Sequence, residues 1–166
     1  MQIRALVAAF GLATLATTLT PAHAQAVRSE RALTLDAAVK VASAAVAECQ
    51  AKGYFVTATV VDRQGVVRAT LRHDNATAST LGSAQAKAYT SAGMRANSGA
   101  VMENAQKNPG AANLGQIPGI ILLAGGVPIR AGNEVIGAVG VGGAPGGHLD
   151  EQCASAGVDS VKEQLR

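Results

Sequence analysis

A glycine-rich run at residues 137–147 constrains this chain more than any other feature, because it joins a predicted strand to a predicted final helix. Glycines allow a helix backbone to cross close to a strand, and they leave backbone N–H groups open to anions where a helix starts. The dinucleotide-binding fingerprint is absent, since Pro145 occupies its sixth place counted from Gly140, and no GxxxxGK(S/T) loop occurs. We therefore expect either close helix–strand packing, or contact of Gly143 and Gly146 with an anionic ligand or a partner subunit.

Composition indicates one folded domain rather than a disordered chain. The 166 residues are 48% hydrophobic but only 2% aromatic, with no Trp, so the core must be built from small side chains. Fourteen basic and 11 acidic residues leave a formal charge of +3. That charge is too weak to indicate nucleic-acid binding without basic clusters or stacking aromatics, so we predict no nucleic-acid partner.

Residues 1–24 are predicted to be a signal peptide. A short positive start precedes an apolar run at residues 5–19, and Ala22-His23-Ala24 matches an A-x-A cleavage pattern, so we expect cleavage before Gln25. The run is too short to span a bilayer as a mature helix, and the alternative is a buried helix or an uncleaved anchor. We predict a periplasmic or secreted protein.

Cys49 and Cys153 are the only cysteines, and each lies on the apolar stripe of a predicted helix. An oxidising compartment would permit a disulfide between them. Such a bond would close a loop of about a hundred residues, worth roughly 4–5 kcal/mol in the chain-entropy model. The alternative is two buried free thiols that pack as small hydrophobic side chains. No CxxC motif occurs, so thiol–disulfide catalysis is not predicted.

Periodicity and turn signals predict the order helix, hairpin, helix, three-strand meander, helix. This order indicates an α+β fold with an antiparallel sheet. A flexible leader at residues 25–32 precedes a single domain at residues 33–166. The predicted helices are 34–52, 76–95, 100–107 and 148–165, and the predicted strands are 54–61, 66–72, 117–124, 127–130 and 134–141.

The candidate ligand-binding side chains are two histidines and a lysine. His73 follows Arg72 at the end of a strand and His148 opens the last helix, where a neutral imidazole could coordinate a metal or haem iron. Lys87, with Tyr89 close by, could neutralise a ligand carboxylate. The alternative for these residues is an ordinary surface position. HExxH and CxxCH motifs and a four-ligand zinc set are absent, so a structural metal is not predicted. No GxSxG motif marks a serine nucleophile.

Several motifs carry a family resemblance that spans nearly all of residues 33–166. They are residues 33–35 (LTL), 60–65 (VVDRQG), 72–76 (RHDNA), 87–90 (KAYT), 118–119 (PG), 125–129 (GGVPI), 137–146 (GAVGVGGAPG) and 150–154 (DEQCA). With these motifs the chain resembles the GlcG/HbpS-like haem-binding family, which is similar to the C-terminal domain of PduO-type corrinoid adenosyltransferases.

The resemblance implies a profilin-like fold, with a five-stranded antiparallel sheet and helices on both faces, and it implies a homo-oligomer. It also implies an exported haem-binding or haem-sensing protein, with haem as cofactor and a membrane sensor as partner. Two alternatives remain open. One is a small-metabolite enzyme that uses acid–base residues such as Asp62 near the 142–147 loop. The other is a non-catalytic oligomeric interaction module. Binding is favoured over catalysis.

The resemblance also bears on the haem ligands. Some relatives supply an axial histidine from the first helix, but residues 34–52 contain none here. The expected iron ligands are therefore His73, His148 or Met94. Family members commonly have Ser where this chain has Gly143. The side chains available to the haem propionates would be Arg68, Arg72 and Lys87.

Overall fold

The structure, a computed structural model, describes residues 26–165, and the predicted signal peptide lies outside the described residues. Within them, every helix is too short or too polar to cross a membrane. The helices are α1 (Leu35–Ala51), α2 (Ser79–Met94), α3 (Ser98–Lys107) and α4 (Gly147–Asp159), and the strands are β1 (Thr57–Asp62), β2 (Val67–Arg72), β3 (Gly126–Ala131) and β4 (Glu134–Gly142).

Local signals explain where the first helix begins and ends. Thr34 caps α1, since its Oγ1 atom accepts a hydrogen bond from the Ala37 backbone N–H at 3.3 Å. Asp36 lies in the first turn, where a carboxylate interacts favourably with the helix dipole. The helix ends before Gly53, whose φ of +80° is left-handed and is readily adopted by glycine. The predicted limits of this helix are confirmed.

The strands form one antiparallel sheet in the order β2-β1-β4-β3. Thr59 of β1 lies between Thr70 of β2 and Gly140 of β4, and the Thr59 and Thr70 hydroxyl oxygens are 3.1 Å apart. The predicted α+β class with an antiparallel sheet is confirmed. The prediction of five strands is wrong, because the described residues form four.

The missing strand is the apolar segment at residues 117–124. Pro118 and Gly119 form a turn there, and the segment then packs against α2 instead of joining the sheet. The Ile121 backbone N–H donates to Thr90 Oγ1 at 2.9 Å, and the Tyr89 ring lies against Gly119. A short apolar run has the same periodicity whether it is a buried strand or a coil that covers a helix. Periodicity alone therefore gave the wrong prediction here.

The larger hydrophobic core lies between the sheet and the helix pair α1 and α4. Val60 and Val139 are fully buried there. A disulfide joins Cys49 of α1 to Cys153 of α4, with the Cα atoms 5.5 Å apart and both side chains fully buried. The bond ties the two helices together across a sequence separation of 104 residues.

The opposite face of the sheet is covered by α2, which lies directly on the strand backbones. A Cβ atom added at Gly140 would collide with the Ala84 carbonyl oxygen and the Ala88 nitrogen, and one added at Gly126 would collide with the Lys87 carbonyl oxygen. Glycine is required at both positions because any side chain would push the helix away. Gly126 and Gly140 therefore allow α2 to pack directly against β3 and β4.

We expect Gly140→Ala to destabilise the protein by about 1–3 kcal/mol, because the new methyl group must displace helix backbone rather than a flexible side chain. Urea unfolding measures the loss. Gly82→Ala and Gly93→Ala are matched controls within α2, because a Cβ atom at either position meets nothing within 4 Å. Each control should raise stability by about 0.5–1 kcal/mol. Equal effects of all three substitutions would contradict the close packing.

Candidate functional site

Residues 143–147 form a corner that leads the chain from β4 into α4. Gly143 has φ +134°, and a Cβ atom there would lie 2.6 Å from the Phe55 carbonyl oxygen, so the corner presses against the chain entering β1. Any side chain at this position would be strained. At the other end of the corner, a Cβ atom at Gly147 would lie 2.7 Å from the Ala124 carbonyl oxygen. The corner therefore packs against the chain before β1 at one end and against Ala124 at the other.

A buried ion pair anchors this corner. Lys87 Nζ lies 2.7 Å from Asp150 Oδ2 and also donates to the Val141 carbonyl oxygen at 3.0 Å. Asp150 Oδ1 accepts the Ala144 N–H at 3.0 Å. Burial raises the pKa of Asp150 above its usual range, and the Lys87 ammonium and the Ala144 N–H offset that rise in part. Since Lys87 is only 4% exposed, its charge is directed at Asp150 rather than at solvent.

An open groove of about 990 Å³ lies beside this corner, between α3 and α4. Its apolar lining comes from Ala100, Met102, Leu123, Ala124 and Ala156, and its polar lining includes Lys52, Asn97, Glu103, His148, Glu151, Gln152 and Asp159. A groove of this size, lined by both apolar and polar side chains, is large enough for a small molecule or a cofactor.

Glu151 organises one wall of this groove. Its Oε1 atom accepts a hydrogen bond from Asn97 Nδ2 at 2.9 Å. Its Oε2 atom accepts the backbone N–H groups of Gly99 and Gly125, each at 3.3 Å. The carboxylate therefore connects α4 to the start of α3 and to the chain entering β3. Because three donors already contact it, its negative charge is partly compensated within the protein.

His148 is the predicted ligand residue that lies on the groove. The side chain is exposed in the first turn of α4, and its ring lies over Gly146, where an added Cβ atom would be 2.9 Å from Nδ1. Gly146 therefore makes room for the imidazole. The structure brings these two predicted residues together, with Glu151 one helical turn further on.

His73 lies elsewhere, at the end of β2. Its ring stacks on Phe55, with centroids 4.6 Å apart, and its Nδ1 atom accepts the Asn75 N–H at 3.1 Å. The neighbouring Arg72 donates to the Ala76 carbonyl oxygen at 2.6 Å. Neither side chain is among those that line the groove. This pair therefore stabilises the start of β1 and the turn after β2.

Three other predicted residues also lie away from the groove. Tyr89 packs against Gly65 of the hairpin turn and against Gly119, and Met94 and Arg68 do not line the groove. Met102 lines it instead, as does Lys52, and neither was predicted from the sequence. The spacing of His148 and Glu151 on one helix face could have indicated the site. Met102 carried no such signal, because nothing local relates α3 to α4.

Comparison with known proteins identifies the family. The sequence model described as "Haem degrading protein HbpS-like" matches residues 33–159. The chain belongs to the HbpS-like family. A comparison of this HbpS-like chain with curated proteins gave no match. The resemblance found in the sequence motifs is thus confirmed at the level of the family.

Solved structures support the same assignment. The crystal structure of HbpS is similar with a TM-score of 0.77 and 38% identity, covering 84% of this chain and 97% of HbpS. A double mutant of Streptomyces reticuli HbpS gives a TM-score of 0.74 at 38% identity, covering 92% of this chain and 97% of that one. A PduOC–haem complex gives a TM-score of 0.70 at 22% identity, covering 78% and 95%, and at that identity the likeness shows the fold alone.

Proposed function

We propose that this HbpS-like protein binds haem in the groove between α3 and α4, with His148 as a ligand of the iron. The observation that carries the proposal is an exposed imidazole among the residues that line a large, partly apolar groove. Neutral imidazole is a common haem ligand, and an apolar wall suits the face of a porphyrin. The description of the family as haem-degrading also supports the proposal.

The charged residues of the groove are compatible with this ligand. Lys52 lines the groove, where its Nζ atom lies 3.1 Å from Glu48 Oε1 and donates to Gln152 Oε1 at 3.2 Å, and it would exchange these exposed contacts for a propionate carboxylate. Of the three acidic residues that line the groove, Glu151 is hydrogen-bonded to three donors and Glu103 is 3.3 Å from Lys107, so these two are already partnered, and Asp159 is the third. These contacts reduce the repulsion that a dianionic haem would meet.

Haem, when bound, would supply an iron centre whose reactivity depends on its axial ligands. The chain's own residues then have separate roles. His148 binds the iron, and the Gly146 backbone leaves space for its ring. Glu151 holds the start of α3 against α4, which fixes the width of the groove. Met102, on the α3 side of the groove, would present a thioether to a bound haem.

Export, self-association and signalling to a membrane sensor remain part of this proposal. The Cys49–Cys153 disulfide supports export, because structural disulfides persist in oxidising compartments. Self-association and the sensor partner rest on the family resemblance. The alternative of an acid–base enzyme gains no support, since Asp62 lies at the end of β1 away from the 142–147 loop, and its Oδ1 atom accepts the Gln64 and Val66 N–H groups.

A hemin titration of the mature protein, followed by Soret absorbance, tests the site. We expect saturable binding to the natural sequence and at least about a tenfold loss of affinity for His148→Ala, equivalent to about 1.4 kcal/mol. His73→Ala is the matched control and should bind as the natural protein does, because its ring lies away from the groove. If His148→Ala kept both the affinity and the spectrum, the proposed ligand would be wrong.

A further inference from the structure

The end of the sheet opposite the corner carries a second cavity, of about 700 Å³. It lies where α2 ends, beside the β1–β2 and β3–β4 turns and the chain before α1. We propose that this cavity binds a small molecule that carries two or more phosphate or carboxylate groups. We name it the arginine cup after the five arginines that line it, which are Arg28, Arg31, Arg63, Arg95 and Arg130.

The preference for arginine indicates the chemistry of the ligand. Five of the seven arginines in the described residues line the arginine cup, whereas none of the five described lysines does. A guanidinium presents a planar fork of donors that binds two oxygens of one phosphate or carboxylate, whereas an ammonium acts as a point charge. A cavity that concentrates guanidiniums therefore suits oxyanions that are bound by such forks.

The positive charge of the arginine cup exceeds what its carboxylates compensate. Glu134 lies 2.7 Å from Arg63, and Glu30 pairs with Arg63 at 3.4 Å and also with Arg28. Glu134 is the one carboxylate among the lining residues, and the two glutamates pair with Arg28 and Arg63, so three of the five guanidiniums lie outside these pairs. Within the described residues, no ion pair involves the remaining three arginines of the cup. A multivalent anion would compensate this excess.

Backbone contacts hold two of these guanidiniums in place. Arg130 donates to the carbonyl oxygen of Arg95 at 2.6 Å, and Arg31 donates to that of Ala131 at 3.3 Å. Arg95 ends α2 in the left-handed region, at φ 55°, and its cationic side chain lies at the helix C-terminus, where the dipole favours positive charge. Each guanidinium has five N–H donors, so one backbone contact leaves most of them for a ligand.

The arginine cup has the size of a small-molecule site, and its polar lining does not suit a large apolar ligand. Its volume lies within the range of small-molecule sites, and the amides of Gln64 and Asn133 add neutral donors to its lining. No histidine and no aromatic side chain lines it. The site is therefore chemically distinct from the groove proposed for haem and does not depend on that proposal.

Isothermal titration of the mature protein with pyrophosphate and with citrate tests the site and distinguishes phosphate from carboxylate ligands. We expect saturable binding of at least one of them at one per chain, with acetate at matched ionic strength giving none. Arg95→Gln/Arg130→Gln should weaken that binding at least tenfold. Arg72→Gln, which removes an arginine outside the arginine cup, should leave it unchanged. Hemin binding should be unaffected by either substitution.

Arg95→Lys/Arg130→Lys keeps the charge but removes the forks, so it should also weaken binding. Binding equal to that of the natural protein in this variant would mean a diffuse positive surface and would overturn the proposal. The proposal would also be overturned if neither pyrophosphate nor citrate bound saturably. A change in the subunit number of the glutamine variant, measured by light scattering, would overturn it as well. Should the double variants fail to fold, the exposed single substitution Arg95→Gln carries the same test.

Discussion

Replacing both cysteines, as Cys49→Ala/Cys153→Ala, is expected to lower the free energy of unfolding by about 4–5 kcal/mol. The disulfide joins residues 104 positions apart, and in the chain-entropy model a loop of about 100 residues is worth about 4.7 kcal/mol. Because small domains are stable by only about 5–15 kcal/mol, this loss is a large part of the total. Urea unfolding of both proteins under oxidising conditions measures it.

Reduction provides the matched control for this prediction. Dithiothreitol should lower the urea midpoint of the natural protein towards that of the double alanine variant, and it should leave the variant unchanged. The thiols of the treated natural protein must be shown to be reduced. If its urea midpoint is then unchanged, the disulfide contributes little to stability. The two alanines also remove buried sulfur atoms, so the reduced natural protein should be slightly the more stable of the two.

Lys87→Met is expected to cost about 3–5 kcal/mol at neutral pH, because it leaves the Asp150 carboxylate buried without its cation. The double variant Lys87→Met/Asp150→Asn should recover most of this loss, since it removes both charges and keeps an acceptor for the Ala144 N–H. A single variant as stable as the double variant would show that Asp150 is already neutral at that pH.

The pH dependence of this pair has a definite sign. Burial raises the pKa of Asp150, so the unfolded chain loses this proton near pH 4 while the folded protein keeps it to higher pH. The unfolded state then binds fewer protons, and the free energy of unfolding falls as pH rises from about 4 through the folded pKa. The difference between the natural protein and Lys87→Met/Asp150→Asn across pH 4–8 isolates this contribution. A difference that does not change with pH would contradict it.

Local signals were sufficient for the parts of the fold that depend on neighbouring residues. The helix predicted at residues 34–52 matches α1 closely, because Thr34 and Gly53 act on its ends within one turn, as a cap and as a left-handed residue. The hairpin of β1 and β2 was predicted for the same reason, from a turn that ends in Gly65. The segment at residues 117–124 was predicted wrongly, because its packing is decided by Thr90 and Tyr89, about thirty residues earlier in the chain.

The site depended more on distant contacts and was predicted less well. Lys87 was expected to meet a ligand carboxylate, but its partner is Asp150, 63 residues later, and no sequence spacing relates the two. Likewise, Met102 reaches the groove only because α3 packs beside α4. The two predicted residues that the structure brings together, Gly146 and His148, are near neighbours in sequence. Contacts between residues close in sequence could therefore be predicted, whereas contacts between distant residues could not.

The strand order leaves β2 and β3 as the two open edges of the sheet. Pro128 in β3 has no N–H to donate, and Arg68 and Arg72 place charge along β2, so both edges are poor templates for an incoming strand. Neither edge therefore favours extending one sheet from one copy of this chain to another. The same edges protect the protein against amyloid-like polymerisation during refolding.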